Sequence, residues 1–446
     1  MKRNTLYSLT LMASAVAVAQ PRMSLTVEDA VQVGLDKSKS LHSSWMNVQY
    51  ADAKSSEANA LRLPSLKFNG RYTRLSDIPP VQFALPANAF GPGLPPSTSI
   101  IPFSPSIVDN YNLQVTLQQP IFTGFRLERN ADVADYTAQA TQKMFEKDRS
   151  QLVYDIKSAY WSLSKAIELQ KVVDESVEQI RAHVRDIENW QRQGLATTNE
   201  VLKVKVQLSD AQLRQIDARN NVEIARITLN SIIGVPLETS VDLSSSIHHD
   251  PAPTPELTVL VQLALEKRPE LQSMELRVKA GDAAVSLAQS GWWPQIYLTG
   301  DYLTARPNTR IFPTQDQFKD TWDVNLGLSF DLWNWGTTVH QTDQAKAQMT
   351  QAEDGLAQLR DAVTLDVTRS MLNLHRTQER IGVAEQGVQQ AEENYRVTNA
   401  KFKQGLAVNT DLLDAEVALL QARTNYTEAL VDYQLAQAGL ARSVGQ

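Results

Sequence analysis

The sequence predicts a mixed α and β membrane protein, mostly an α-helical coiled-coil barrel. Four β-strands per chain are predicted to contribute to a trimeric, 12-stranded transmembrane β-barrel. Three observations lead to this fold class: an internal two-fold repeat, long segments with helical spacing of apolar residues, and four short stretches of alternating polarity.

The internal repeat is visible as one motif used twice. The sequence QGLA at 193–196 returns at 404–407, an offset of 211 positions (404 minus 193). Further upstream the offset is 230, as between Pro64 and Pro294 (294 minus 64), so the first copy holds 19 extra residues (230 minus 211). A repeat of this size is typical of a quasi-symmetric structure rather than of two unrelated domains.

Composition excludes several classes of protein. The chain has 446 residues, of which 42% are hydrophobic and 21% charged, and this balance is that of an ordered protein. A net charge of −7 without a basic stretch argues against a nucleic-acid partner. The absence of cysteine excludes disulfides, thiolate metal sites and a lipoprotein-type lipid anchor.

Residues 1–19 have the pattern of a secretory signal peptide. Lys2 and Arg3 precede a short apolar run, and Ala17 and Ala19 form a small-x-small cleavage site before Gln20. No later window holds the roughly 18 apolar residues that a spanning helix needs. We therefore expect an exported chain which, if it spans a membrane, does so as a β-barrel.

Four segments are predicted to be strands. They are 64–75, 110–123, 294–303 and 321–333. In the clearest of them, Trp322, Val324 and Leu326 alternate with Asp323 and Asn325. Period-two alternation over roughly ten residues is typical of transmembrane strands, with the apolar set facing lipid and the polar set facing a wet lumen. A soluble sheet with one buried face is the alternative interpretation.

Aromatic residues cluster where the predicted strands meet helices. They are Phe122, Trp292, Trp293, Trp333 and Trp335. Because indole rings prefer the membrane–water interface, we interpret them as one aromatic girdle. Core aromatics at a helix–sheet junction are the alternative.

The segment 76–109 between the first two strands carries eight prolines and is predicted to be an exposed loop. Proline at this density disfavours helix and sheet alike. The matching loop of the second copy, about 304–320, is shorter.

The remaining segments have helical periodicity. The predicted helices are about 25–62, 125–193, 198–233, 256–291, 336–404 and 408–443. The two long helices would each measure about 100 Å at 1.5 Å per residue, and two medium helices stacked end to end would return beside each of them. The chain is thereby divided into a first structural repeat (20–234), an equatorial linker (235–256) and a second structural repeat (257–446).

Four strands cannot close into a barrel by themselves. An open strand edge in lipid would leave backbone groups without hydrogen-bond partners, at too high a cost in free energy. Two chains would supply eight strands, and the interior of an eight-stranded barrel is filled by side chains. Three chains would supply twelve strands, enough to surround an aqueous lumen. The polar inner faces favour three chains.

Two pairs of repeated motifs resemble those of the TolC-like outer membrane efflux proteins. One pair is PIFTG at 120–124 and DLWNWG at 331–336, and the other is QGLATTNEVL at 193–202 and KQGLAVNTDLLDA at 403–415. The resemblance extends over essentially the whole mature chain. It implies a homotrimer in the cell outer membrane, with a periplasmic helical extension and outer membrane lipid around the barrel.

The same resemblance implies a function and partners. The chain would be the passive exit duct of a tripartite efflux or type I secretion system. It would accept substrate from an inner membrane pump of RND, ABC or MFS type through a periplasmic adaptor protein, and the pump would supply the energy.

The motifs at the two helical turns supply candidate docking residues. Gly194 and Gly405 allow the chain to reverse sharply. We predict N-caps at Thr198 or Asn199 for one returning helix and at Asn409 or Thr410 for the other. The candidate adaptor-docking residues are Gly194, Leu195, Ala196, Thr197, Gly405, Leu406, Ala407 and Val408.

Acidic residues just after the turns are candidates for a pore constriction. Glu200, Asp411 and Asp414 start the returning helices, where acids complement the helix dipole. In a trimer each carboxylate would also be repeated around one axis, and such rings select cations. The resemblance places Asp411 and Asp414 at the constriction, with Glu200 near it.

The gate pattern departs from the family at two positions. Phe402 and Ala407 stand where that pattern has a tyrosine and an arginine, which leaves Phe402 as a candidate gate residue. A pair between Lys403 and Glu200 would be one replacement for the missing contacts.

No catalytic constellation, cofactor motif or metal motif is found. His248 and His249 beside Asp250 are better interpreted as a polar linker than as a metal cluster. The sequence therefore indicates a non-enzyme. The alternatives are a secreted or periplasmic structural coiled-coil protein without channel activity, and an enzyme on a helical scaffold.

Overall fold

The computed structural model describes residues 23–76, 81–85, 99–104, 106–245, 247 and 255–445. The predicted signal peptide at 1–19 and the His248–His249–Asp250 cluster lie outside the described residues, as does part of the proline-rich segment 76–109.

The described chain is mostly helical with a few strands, which confirms that part of the predicted fold class. The helices are α1 (Val27–Lys37), α2 (Lys39–Ala60), α3 (Arg126–Arg192), α4 (Thr198–Ile233), α5 (Leu257–Lys267), α6 (Pro269–Gln289), α7 (Thr337–Lys403) and α8 (Asn409–Ser443). The long helices α3 and α7 have 67 residues each. Within the described residues, no helix combines the length and apolar character needed to cross a membrane.

The two medium helices, predicted as continuous at about 25–62 and 256–291, are each broken in two. The first breaks at Ser38, whose backbone is extended and whose hydroxyl accepts a hydrogen bond from the Leu41 amide at 3.2 Å. The second breaks at Arg268, which is extended because Pro269 follows it, and the residue before a proline avoids helical geometry. Apolar periodicity persists across both breaks, and for this reason the sequence predicted two continuous helices. That prediction was wrong.

Eight strands form three sheets in the described residues. The strands are β1 (Met23–Leu25), β2 (Ser65–Arg74), β3 (Val81–Leu85), β4 (Ser99–Ser104), β5 (Asp109–Phe122), β6 (Val241–Leu243), β7 (Gln295–Arg306) and β8 (Lys319–Ser329). The largest sheet is antiparallel in the order β2-β5-β7-β8. Strands β1 and β6 pair in parallel, so part of the predicted linker 235–256 is a strand.

The segment 76–109, predicted as a loop without sheet, contains the antiparallel hairpin of β3 and β4. The prediction was wrong because it averaged the prolines over the whole segment. Only Pro102 lies inside these two strands. Both are edge strands, where a missing backbone donor is tolerated.

The chain divides into two compact units. One, which we name the sheet unit, comprises the described residues of 46–144 and 272–358 and holds the four-stranded sheet. The other, the turn unit, comprises the described residues of 1–45, 145–271 and 359–446 and holds the α3–α4 and α7–α8 turns.

The two faces of the four-stranded sheet differ in chemistry. On one face the apolar side chains are exposed in the single chain, as for Phe68 (69% exposed) and Trp322 (74% exposed). On the other face polar side chains bond across strands. Gln114 Nε2 and Thr116 Oγ1 donate to Asp301 Oδ1 at 2.8 and 2.5 Å.

The turn unit has a core built around Tyr160, which is fully buried. Its hydroxyl donates to the Leu25 carbonyl at 3.0 Å and accepts from the Ser245 amide at 3.0 Å. One side chain of α3 thus ties strand β1 and the segment after β6 to the helices.

We expect Tyr160→Phe to destabilise the protein by about 1–3 kcal/mol, because it leaves the Ser245 amide without its partner. It also removes one of the two hydrogen bonds that the Leu25 carbonyl accepts, the other coming from the Ser244 amide. The measurement is thermal and denaturant unfolding followed by circular dichroism. The control is Tyr50→Phe, which alters a tyrosine that is 67% exposed and is expected to change stability by less than about 0.5 kcal/mol. Equal stability of the two variants would contradict the role given to the hydroxyl.

Candidate functional site

The two helical turns have the same backbone construction. In each, a glycine with positive φ follows the long helix: Gly194 (φ 76°) and Gly405 (φ 74°). The Leu195 amide donates to the Trp190 carbonyl at 2.8 Å, and the Leu406 amide donates to that of Lys401 at 2.9 Å. This is a Schellman cap, which satisfies the last carbonyls of a helix and needs a residue that tolerates the left-handed region.

The turns present apolar side chains to solvent. Leu195 is 71% exposed, Leu406 is 73% exposed and Val408 is 62% exposed. Ala196 and Ala407, in contrast, are partly buried and pack towards the interior. The two turns therefore combine a rigid reversal with a small apolar tip.

The first returning helix begins with a capping box formed by Thr197 and Glu200. The Thr197 hydroxyl accepts from the Glu200 amide at 3.3 Å, and a Glu200 carboxylate oxygen accepts from the Thr197 amide at 2.7 Å. The predicted caps Thr198 and Asn199 are wrong by one or two positions. Glu200 is instead held by Thr197, not by the Lys403 proposed from the sequence.

The capping box has a pH dependence of known sign. The Thr197 amide and then its hydroxyl hold the pKa of Glu200 below its usual range, because both donate to the charged carboxylate. The stabilisation is therefore present above the pKa of the unfolded chain and is lost as pH falls through the lowered pKa of the folded state.

The second returning helix lacks this cap. Its N-cap residue is Val408, which has no side chain able to accept a hydrogen bond, so the predicted caps Asn409 and Thr410 are wrong. Val408 and Asp411 correspond to Thr197 and Glu200 at the repeat offset of 211 (408 minus 197). Asp411 therefore has the place of a capping acid without a hydroxyl to bond, and its side chain is exposed, as is that of Asp414.

The gate candidate Phe402 is a packing residue in this chain. Its ring is 2% exposed, stacks on Trp190 with centroids 4.5 Å apart and meets the edge of the His183 ring at 5.1 Å. It belongs to a buried group that we name the turn cluster. The cluster consists of Val177, Ile180, Val184, Ile187, Val201, Val204, Ala211, Phe402 and Leu412.

A buried polar pair, which the sequence did not predict, lies beside the turn cluster. His183 Nδ1 of α3 lies 3.4 Å from Glu416 Oε1 of α8, and both side chains are 2% exposed. Burial raises the pKa of the Tyr395 hydroxyl, and the negative charges of Glu416 and Asp186 raise it further. The sequence offered no signal for this pair, because the two residues are 233 positions apart (416 minus 183).

The predicted girdle residues form two aromatic groups within the sheet unit. Phe122 and Trp293 lie at right angles with centroids 6.5 Å apart, and Phe125, which the sequence analysis missed, contacts both. Trp333 and Trp335 pair at 5.8 Å. Trp292 is 53% exposed. Whether these groups lie at a membrane interface stays a prediction.

Phe125 and Trp335 share an unusual backbone. Both have positive φ, 64° and 51°, and each neighbours a glycine that also has positive φ. The two strand-to-helix turns of the repeat are thus built alike, with a bulky residue held in the left-handed region.

Metal chemistry finds no support in the residues described. Among them, no group of three or more His, Asp or Glu side chains is arranged to hold a metal ion. The chain has no cysteine.

Comparison with known families decides the identity of the fold. The family model described as outer membrane efflux protein matches residues 30–235 and 260–446. The chain belongs to the outer membrane efflux protein family. It is therefore an outer membrane protein that serves as an exit duct for efflux or secretion.

Individual relatives agree with this membership. The chain is 28% identical over 341 residues to the alkaline protease secretion protein AprF of Pseudomonas aeruginosa, covering 74% of this chain and 69% of the relative. It is 21% identical over 315 residues to the outer membrane protein TolC of Vibrio cholerae, covering 70% and 72%. The crystal structure of the outer membrane protein VceC of Vibrio cholerae matches with a TM-score of 0.76 at 17% identity, over 94% of this chain and 96% of that one.

The difference between the two helix starts can be tested by exchanging their caps. We expect Val408→Thr to protect the first amides of α8 against hydrogen exchange by about 0.5–2 kcal/mol, because it completes a capping box with Asp411. We expect Thr197→Val to reduce the protection of the first amides of α4 by a similar amount. Hydrogen exchange read by mass spectrometry measures both. The control is Thr198→Val, since that hydroxyl accepts from Gln191 Nε2 and caps nothing. Equal effects at residues 197 and 198 would contradict the assignment.

Proposed function

We propose that this efflux family member is a homotrimeric, passive exit duct. In this proposal it accepts substrate from an inner membrane pump through a periplasmic adaptor and releases it outside the cell. The observation that carries the proposal is the four-stranded sheet. It is apolar and exposed on one face, polar on the other, and open at both edges within the described residues.

The edges of the sheet support assembly of three chains. Strand β2 pairs with β5 and strand β8 pairs with β7, so that each has one side without a partner strand among the described strands. Unpaired backbone groups cost several kcal/mol each in lipid. Three copies supply twelve strands, enough to enclose water, and place the polar face around Asp301 towards the lumen.

The exposed faces of the helices support the same assembly. Helix α4 exposes Leu202, Val206, Leu213 and Ile216, each by more than half. Helix α7 exposes Leu372 (63%) and Val383 (73%). Large apolar side chains at coiled-coil spacing on a helix surface favour a partner helix, and here the partner would be a second copy of this chain.

We assign the constriction to the exposed acids after the second turn. Asp411 and Asp414 lie one helical turn apart on α8, and three copies would place six carboxylates around one axis. Glu200 stays near this ring but is engaged in its capping box. Phe402 fixes the end of α7 in the turn cluster, so that the ring is carried by a packed helix end.

We assign adaptor docking to the tips. The docking residues would be Gly194, Leu195, Ala196, Thr197, Gly405, Leu406, Ala407 and Val408. Their exposed leucines offer an apolar contact to the turn of a partner helical hairpin, and the two Schellman caps hold the backbone rigid. An RND, ABC or MFS pump would supply the energy, and the outward apolar sheet face, flanked by the girdle aromatics, would contact outer membrane lipid.

We expect the purified protein to form channels in planar bilayers. The double variant Asp411→Ala with Asp414→Ala should lower the cation-to-anion permeability ratio by about twofold or more, because the carboxylate ring is removed. Reversal potentials in a salt gradient measure the ratio. The control is Asp36→Ala, which removes a single aspartate charge from α1. Absence of channels from the unaltered protein would contradict the proposed function, and an unchanged ratio would contradict the proposed ring.

We expect Leu195→Asp combined with Leu406→Asp to abolish export while leaving trimers and bilayer channels intact, because charged tips cannot bury against an adaptor. Growth on a toxic efflux substrate and crosslinking to the adaptor, in cells lacking the endogenous channel, measure this. The control pair Leu195→Val and Leu406→Val keeps the tips apolar and is expected to export normally. Normal export by the aspartate variant would rule out docking through the leucines.

A further inference from the structure

The polar face of the four-stranded sheet is covered at one end. Leu303 and Ala305 belong to the same alternating set as Asp301, yet they are only 8% and 4% exposed. Their partners across the sheet are Thr321 and Lys319 of β8. Two apolar residues are thus buried on a face that is otherwise polar, so another segment must lie over them.

The covering segment is the loop 307–318, which joins β7 to β8. Asn308 is 2% exposed, and its Nδ2 donates to the Lys319 carbonyl at 2.9 Å and to Thr321 Oγ1 at 3.2 Å. The Arg310 amide in turn donates to Asn308 Oδ1 at 3.0 Å. Because the Thr321 side chain points to the same face as Asp323, these bonds fold the loop back over the polar face of the sheet.

This fold brings a cation onto the polar face. Arg310 Nη1 lies 2.5 Å from Asp323 Oδ2, with side chains 43% and 27% exposed. Asp323 is directly opposite Asp301 in the register of β7 and β8. Asp301 is bonded by the uncharged donors Gln114 and Thr116, so Arg310 is the charged partner that the structure gives to this pair of acids.

The base of the loop is clamped. Arg306 Nε and Nη2 donate to the two carboxylate oxygens of Asp316 at 2.7 and 3.1 Å. The Phe318 ring lies 5.6 Å from that of Tyr111. A two-point arginine–carboxylate contact fixes both position and angle, so it holds the base of the loop against the end of β7.

We propose that Arg310 is a specificity-determining residue of the duct, held by the loop 307–318 over Asp323 to form a second charged constriction inside the sheet. This inference rests on the proposed function, since the polar face is a lumen only in the trimer. Three copies then place three Arg310–Asp323 pairs around the lumen, far along the strands from the helix-proximal ends. Each arginine offsets one carboxylate and lowers the preference for cations.

The effect of such a ring on permeating ions follows from its range. Charges act on ions over a Debye length of about 10 Å at 0.1 M ionic strength. Opposite changes of charge at Arg310 and Asp323 must therefore shift selectivity in opposite directions. A loop that was merely loosened would shift both variants the same way.

The test uses the full-length protein in planar bilayers with potassium chloride as the probe. We expect Arg310→Gln to raise the cation-to-anion permeability ratio by about twofold and Asp323→Asn to lower it by a similar factor. The control is Arg74→Gln, which alters a 70% exposed arginine paired with Asp109 on the opposite set of strand positions, and it should leave the ratio unchanged.

A chemical version of the test exploits the absence of cysteine. Arg310→Cys provides a single thiol, so a cationic methanethiosulfonate reagent should return the ratio to that of the unaltered channel. An anionic reagent should move the ratio further towards cations. If the cysteine variant fails to insert, the opposite shifts expected of Arg310→Gln and Asp323→Asn decide the matter.

The outcomes separate the two proposals. Channels whose permeability ratio is unchanged by substitutions at both 310 and 323, or shifted in the same direction by both, would overturn this inference and leave the duct intact. Failure of the unaltered protein to form any channel would overturn the proposed function instead.

Discussion

The turn cluster is the interaction on which the helical part of the chain depends. A helix of 67 residues cannot bury its apolar stripe by itself, so its order relies on neighbouring helices. The turn cluster answers this need where the chain reverses, since Val184 of α3, Val204 of α4, Phe402 of α7 and Leu412 of α8 share one core. The two helical turns are therefore joined through one core.

The same cluster explains why the two copies are not equivalent. At the repeat offset, the first copy has Gln191 where the second has Phe402, and Thr197 where the second has Val408. The phenylalanine is buried between the copies, whereas the missing hydroxyl leaves Asp411 outside any side-chain cap. One exchange strengthens the packing, and the other leaves an exposed acid where the proposed duct would narrow.

The sheet unit shows a comparable division between packing and charge. Its apolar face is left exposed in the single chain, and its polar face is spanned by bonds between strands and by the loop 307–318. In the proposed trimer the first face meets lipid and the second meets the passing substrate. The proposed duct would then carry charged groups in each unit, Asp411 and Asp414 in the turn unit and Arg310 and Asp323 in the sheet unit.

The sequence by itself determined what depends on neighbours along the chain. Alternation over 322–331 indicated a strand, apolar spacing indicated the long helices, and Gly194 and Gly405 marked the reversals. The two pairs of motifs, at 120–124 and 331–336 and at 193–202 and 403–415, together indicated the family, because they recur in the same order at fixed spacing. Tertiary structure decided what depends on distant partners or on local hydrogen bonds that compete closely. It selected Thr197 over Thr198 as a cap, broke the first medium helix at Ser38 and paired β1 with β6. It also buried His183 against Glu416 and placed Arg310 over Asp323. Such contacts leave no periodic trace in the sequence, since each joins two residues whose spacing is set by the fold.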